Sequence, residues 1–158
     1  MNNKGNIYFD KDTGKAYTSA IELINAYIVR FSSRVSAAAG KEITFKPLDE
    51  EGYSFVVRGS ATVGINVVEN RDLLLLLSRI MKVPTENKLQ LYQQLLELNY
   101  SSTSDGAFAL DKETETVYLR ASRSIAGLDY EEFENLLHST ALVADDWDDK
   151  LKELFGDK

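Results

Sequence analysis

Asp72-Leu73-Leu74-Leu75-Leu76-Leu77-Ser78-Arg79-Ile80-Met81-Lys82-Val83 is the stretch on which the fold turns. Five consecutive leucines favour a helix by intrinsic propensity, yet the same run reads equally as a strand buried on both faces, and periodicity does not arbitrate. Glu69-Asn70-Arg71 is a polar break before it, and Pro84-Thr85 opens a new element after it. A strand fits a meander of short hairpin connections; a helix stays open on propensity alone.

Upstream, apolar residues recur every second position. Val63, Ile65 and Val67 alternate after Gly59-Ser60, Tyr53, Phe55 and Val57 alternate with Ser54, Val56 and Arg58, and Ile43 and Phe45 alternate with Thr44 and Lys46. Three strands are expected there, with Asp49-Glu50-Glu51-Gly52 as a turn. Before them Ser19 stands three residues ahead of Glu22 at capping-box spacing. Ala20, Leu23, Ile24, Tyr27, Ile28, Phe31 and Val35 then recur at helical intervals up to Gly40, a left-handed stop, which predicts a helix over 20–38. Asn6 to Tyr17 reads as a short hairpin or loose arm around Asp10-Lys11-Asp12-Thr13-Gly14. The expected organisation is an arm or hairpin over 1–18 and a single domain over 19–158.

Downstream, Thr85 can cap a helix in which Leu89, Tyr92, Leu95 and Leu96 share a face, ending near Asn99. Gly106–Leu110 and Thr116–Ala121 read as a hairpin. Asp129 precedes Glu132 at capping-box spacing, and Phe133, Leu136, Leu137, Thr140, Ala144, Trp147, Leu151, Leu154 and Phe155 mark one face of a terminal helix that Gly156 ends. The order α-β-β-β-β-α-β-β-α implies an α+β fold: a twisted antiparallel sheet of five to six strands flanked by helices.

Composition bounds what such a fold does. At 158 residues, folding hides roughly 70% of the extended chain's surface, enough for a core without staples. There is no cysteine, which removes disulfides, thiolate metal sites and thiol catalysis. The longest unbroken apolar run, Leu73 to Leu77, is far short of a membrane span, and no apolar leader follows Met1-Asn2-Asn3-Lys4, so a soluble cytoplasmic protein is expected. A net charge of −7 argues against nucleic acid, whose binding rests on clustered Lys and Arg. Charge is uneven, however. Residues 1–48 carry seven bases against four acids and residues 129–158 ten acids against three bases, which suggests packing of the first helix near the last, complementary patches between subunits, or solvated faces.

No residues form a recognisable catalytic frame. His138 is the single histidine, too few for a triad or metal cage. Asp145, Asp146, Asp148 and Asp149 are the densest carboxylate cluster, read as a solvated face or a partner-binding acidic patch, since no enclosing loop surrounds them to hold a metal. Asp10, Asp12 and Gly14 resemble the start of a calcium loop, but the glycine is one position early and Ile21 stands where the twelfth-position glutamate is needed. Gly59-Ser60 lacks the Lys-Ser or Lys-Thr of a phosphate loop. Arg120 and Arg123, near Arg58 at a strand end, suggest a small anion site or a solvated sheet edge. Catalytic, cofactor and metal sites are therefore all expected to be absent. The strand positions that alternation turns away from the helices, Val56, Val67, Leu73, Leu75 and Leu77, are the candidate partner-binding apolar residues.

A family likeness joins these features. Leu73–Leu77, Lys82-Val83-Pro84, Leu95-Leu96-Glu97-Leu98-Asn99, Gly106-Ala107-Phe108-Ala109-Leu110-Asp111, Val117-Tyr118-Leu119-Arg120 and Leu128-Asp129 together resemble the YbjN-like domain, over roughly residues 20–155. That domain shares a fold superfamily with the type III secretion chaperones. The resemblance implies a strand at 73–81, frequent homodimers, and work done by binding protein rather than by chemistry. The expectation is a non-enzymatic protein-binding module, chaperone-like or a regulatory adaptor, with a small-molecule-sensing regulatory domain as the alternative.

Overall fold

The computed structural model describes residues 7–157. Strands β1 (Tyr8–Phe9) and β2 (Ala16–Tyr17) precede helix α1 (Ala20–Ala39), and β3 (Tyr53–Arg58), β4 (Ala61–Val68) and β5 (Leu73–Lys82) follow it. Helix α2 (Lys88–Ser101), β6 (Ala107–Asp111), β7 (Thr116–Ser124) and α3 (Tyr130–Phe155) complete the chain. β1 and β2 pair as a hairpin, and the other strands form one sheet in the order β3-β4-β5-β7-β6. The leucine run is thus a strand, and it occupies the centre. Its pairing with β7 is antiparallel, because the Asp72 carbonyl at the start of β5 accepts from Ile125 N–H while Val83 N–H past its end donates to Glu115.

Local chemistry sets most boundaries. Ser19 Oγ accepts the Glu22 N–H at 3.1 Å, but the Glu22 carboxylate turns to the Thr18 N–H and hydroxyl rather than to Ser19. Gly40, at φ 69°, closes α1 in the left-handed conformation. At α3 the reciprocal box forms as the spacing predicts: Asp129 Oδ1 accepts from Glu132 N–H at 2.8 Å, and Glu132 Oε2 accepts from Asp129 N–H. In the β1–β2 turn Asp10 Oδ1 takes the N–H groups of Asp12 and Thr13, so this segment is a hairpin turn.

Two expected boundaries move. Ile43–Lys46 forms no strand and joins no sheet. Ser36 Oγ accepts from Ile43 N–H and donates to its carbonyl, Ser32 Oγ accepts from Phe45 N–H, and Asn25 Oδ1 accepts from Leu48 N–H. Side chains of α1 thus satisfy the backbone that a neighbouring strand would have paired, and the sheet has five strands. Helix α2 begins at Lys88 rather than behind Thr85, whose N–H and hydroxyl both bond Asp157 Oδ1 instead. Asn87, at φ 62°, is its N-cap and makes no side-chain cap.

The chain divides into two compact units. Among the described residues the first comprises 7–55, Ile65–Leu75 and Arg123–Asn135. Its core centres on Tyr27, fully buried, with ring centroids 5.7 Å from Tyr130 and 5.6 Å from Phe133 and a hydroxyl donating to the Leu128 carbonyl at 2.9 Å. The two ends of the charge gradient meet here at one point: Arg34 pairs with Glu134 at 2.7 Å, and the Arg30 guanidinium lies 4.2 Å from the Tyr130 ring while bonding Asp12. The basic first helix therefore meets the start of the acidic last one within the chain.

The second unit comprises Val56–Gly64, Leu76–Ser122 and Leu136–Lys158. Ile80, Leu91, Leu98, Val117, Leu119, Ala144 and Leu151 belong to its core cluster. Asn99 ties α2 to β6, its Oδ1 accepting from Phe108 N–H at 2.7 Å and its Nδ2 donating to the Phe108 carbonyl at 3.2 Å.

Burial, then the nearby Glu134 carboxylate, pushes the Tyr130 phenol up to about 12, and burial with the Asp10 charge raises Tyr27 further. Both groups are neutral when folded, so their contribution is complete below the unfolded phenol value near about 10 and is lost as pH rises through the folded values. Urea midpoints should therefore fall steeply above about pH 10, and the double variant Tyr27→Phe/Tyr130→Phe should flatten that fall. At neutral pH Tyr27→Phe should cost about 1–2 kcal/mol, because the Leu128 carbonyl loses its buried donor.

Candidate functional site

With no catalytic frame among the described residues, the candidate site is the apolar surface that the chain leaves uncovered. β5 alternates fully buried Leu74 and Leu76 with half-buried Leu73, Leu75 and Leu77. These three of the five expected residues face outward. The other two do not: Val56 and Val67 are each only 5% exposed. The correction lies in the phase of β3 and β4. On β3 the small Ser54 points inward with Val56, its hydroxyl donating to the Lys46 carbonyl at 2.6 Å, so Tyr53, Phe55 and Val57 emerge on the other side. Tyr53 and Phe55 stand together with ring centroids 6.5 Å apart. Alternation located the strand but not which set it buries, because a serine with a backbone partner is as well satisfied inside as outside.

Helix α2 carries two apolar stripes. Leu91, Leu95 and Leu98 enter the core, whereas Leu89, Leu96 and Tyr100 are 80%, 69% and 95% exposed. With Tyr92 and the stems of Gln93 and Glu97 the outer stripe lines an open groove of about 840 Å³. Sequence pattern put Leu95 and Leu96 on one face; consecutive residues are 100° apart, and the structure sends them to opposite sides. Positions 89, 92, 96 and 100 recur at helical intervals, so this stripe was legible as a second one.

The acidic cluster splits likewise. Asp146 and Asp149 are exposed, but Asp148 is buried and Asp145 half-buried, and both grip the β3–β4 turn. Asp145 Oδ1 accepts from the Ser60 N–H at 3.0 Å, and Asp148 receives the Ser60 hydroxyl at 2.9 Å. The cluster is therefore half structural clasp rather than one patch offered to a partner. Gly59 makes the clasp possible: at φ 54°, a Cβ there would run into the Asp145 carboxylate. His138 is exposed on α3. Arg58 and Arg120 lie on β3 and β7 with two strands between them, roughly 14 Å apart at strand spacing, so they build no common anion site. Among the described residues no group of His, Asp or Glu is placed to hold a metal, and no helix is long and apolar enough to cross a membrane.

Residues 40–147, more than half of the sequence, match the Tir chaperone protein (CesT) family. The chain belongs to that family. Its fold agrees with solved structures. The structure of the ExsC-ExsE complex contains a chain with TM-score 0.55 and 25% identity, covering 80% of this chain and 95% of its own. The HopA1-SchA chaperone-effector complex gives 0.56 at 12% identity, over 80% and 97%. The heterodimeric ExoU-SpcU complex from the type III secretion system of Pseudomonas aeruginosa gives 0.55 at 18%, over 84% and 97%. No curated protein sequence matches. As a member of the Tir chaperone family the chain is a protein-binding, chaperone-like module, and its partner is a protein.

The clasp is separable from binding. Gly59→Ala should destabilise the chain by about 2 kcal/mol through left-handed strain and collision. Combined with Asp145→Ala it should cost less than the two single changes summed, by more than about 0.5 kcal/mol in a urea-denaturation cycle.

Proposed function

We propose that this member of the Tir chaperone family is a type III secretion chaperone that works as a homodimer in the bacterial cytoplasm. It holds an apolar stretch of a secreted polypeptide before export. The observation that carries the reading is the row Leu73, Leu75 and Leu77 on the central strand, which the chain's own helices leave half open. The exposed aromatics Tyr53 and Phe55 on the edge strand β3 add to this, since an edge strand also offers unpaired backbone to an extended segment. The structural relatives support the same kind of partner, HopA1-SchA being a chaperone-effector complex and ExoU-SpcU a complex from a secretion system. The quoted packing motifs also resemble the YbjN-like branch of the same superfamily. A metabolite-sensing role is the less favoured alternative, because the family supplies protein partners.

Helix α2 supplies the dimer contact in this reading. A stripe with Leu89, Leu96 and Tyr100 largely in water suits burial against an identical stripe from a second copy, and small two-fold contacts of this kind are the commonest route to a dimer.

Sedimentation equilibrium should give the mass of two chains for the wild type and of one for Leu96→Glu, with helix content unchanged; a dimer indifferent to Leu96→Glu and Tyr100→Glu refutes the α2 assignment. Leu75→Asp should lower affinity for a fluorescent apolar peptide by about thirtyfold, the size of a central hydrophobic contact, while the dimer persists. Equal affinity in a folded Leu75→Asp protein refutes the sheet-face assignment.

A further inference from the structure

A cleft of about 520 Å³ opens where β5 ends, lined by Arg79, Met81 and Lys82 from that strand and by Lys152, Gly156 and Asp157 from the end of α3 and just beyond. Two observations set it apart. The first is geometric. Ser78 Oγ donates to the Thr62 carbonyl at 2.8 Å, so the last residues of β5, which ends at Lys82, lie beside the start of β4 at Ala61 and the Gly59-Ser60 turn before it. On the opposite edge Val83 N–H still donates to Glu115. On the β4 side the last residues of β5 therefore adjoin a turn rather than the body of a strand, and Met81 and Lys82 line the cleft.

The second is electrical. Arg79, Lys82 and Lys152 are exposed, and none takes part in an ion pair among the described residues, whose pairs use Arg30 and Arg34. In a chain of net charge −7, three unpaired cations around one concavity form a local reversal of sign. The carboxylate in the lining, Asp157, accepts from the N–H and the hydroxyl of Thr85, and one carboxylate against three cations leaves an excess of positive charge.

We infer that this cleft docks an acidic segment of the polypeptide partner, the open end of β5 taking its backbone and Arg79, Lys82 and Lys152 its carboxylates. An extended polypeptide fits better than a free anion, because a strand edge offers donors and acceptors at the spacing of another strand. The inference rests on the proposed function only for the partner's being a polypeptide; the surface is distinct from Leu73–Leu77 and from the outer stripe of α2.

The test uses the full chain and two fluorescent ten-residue peptides, one alternating Val with Glu and one alternating Val with Gln. The Glu peptide should bind about tenfold tighter at low salt, with the difference collapsing at high salt as exposed charges are screened. The triple variant Arg79→Gln/Lys82→Gln/Lys152→Gln, with an unchanged melting curve, should lose the difference, and each single change should cost about threefold. Equal affinity for the two peptides, a preference that survives in the triple variant, or full displacement by millimolar inorganic phosphate or a short oligonucleotide overturns the inference. If both peptides bind equally and Leu75→Asp abolishes both, the proposed function stands and this inference falls. If neither binds, both fall.

Discussion

β5 has to solve a problem set by its own composition: five successive leucines cannot all be hidden by one layer of helices. As a strand the run divides by parity, Leu74 and Leu76 to the core and Leu73, Leu75 and Leu77 to the other face. As a helix it would spray leucine around nearly the whole circumference. Both ends of the strand are pinned. At the start Asp72 adopts φ 51°, its carbonyl accepting from Ile125 N–H and its Oδ2 from the Ser124 hydroxyl and the Ala126 N–H. Past the end Val83 binds Glu115. With its central strand held in this way, the sheet presents one apolar row that the chain only half covers, and the proposed partner site rests on that row.

Several polar side chains in this protein hold backbone. Asn25, Ser32 and Ser36 replace a missing strand for residues 43–48, Asn99 closes on Phe108, and Asp145 with Asp148 clamps Ser60. Each satisfies a main-chain or hydroxyl donor that burial would otherwise leave costly. Among the described residues, apolar ones on β3, β5 and α2 are left in water, and so are Arg79 and Lys82 of β5 and Lys152 of α3.

Much of the fold was legible in local pattern. Asp129 with Glu132 forms the full box, Ser19 caps Glu22 in one direction, Gly40 stops the first helix, and Asp10 to Gly14 forms the hairpin turn. Less legible was which parity each strand buries. Tyr53 and Phe55 looked like core and Val56 like surface, yet the reverse holds, because Ser54 finds the Lys46 carbonyl inside. The segment 43–46 has strand rhythm, but its hydrogen-bond partners are seven to thirteen residues back on α1. The acidic cluster was visible as a cluster, and only Ser60, eighty-five residues away, shows that two of its members are spoken for.

Sequence by itself determined most element types, the absence of thiol chemistry and the excess of apolar positions over what one core needs, because these follow from rhythm, capping distances and residue inventory; the leucine run and residues 43–46 it left to the packing. Tertiary structure alone decided which apolar residues are left over: Leu73, Leu75 and Leu77 rather than Val56 and Val67, and Leu89, Leu96 and Tyr100 rather than Leu95. The reason is that burial belongs to pairs of surfaces. A single strand or helix states how its faces differ, and only the element packed against it selects the face that meets water.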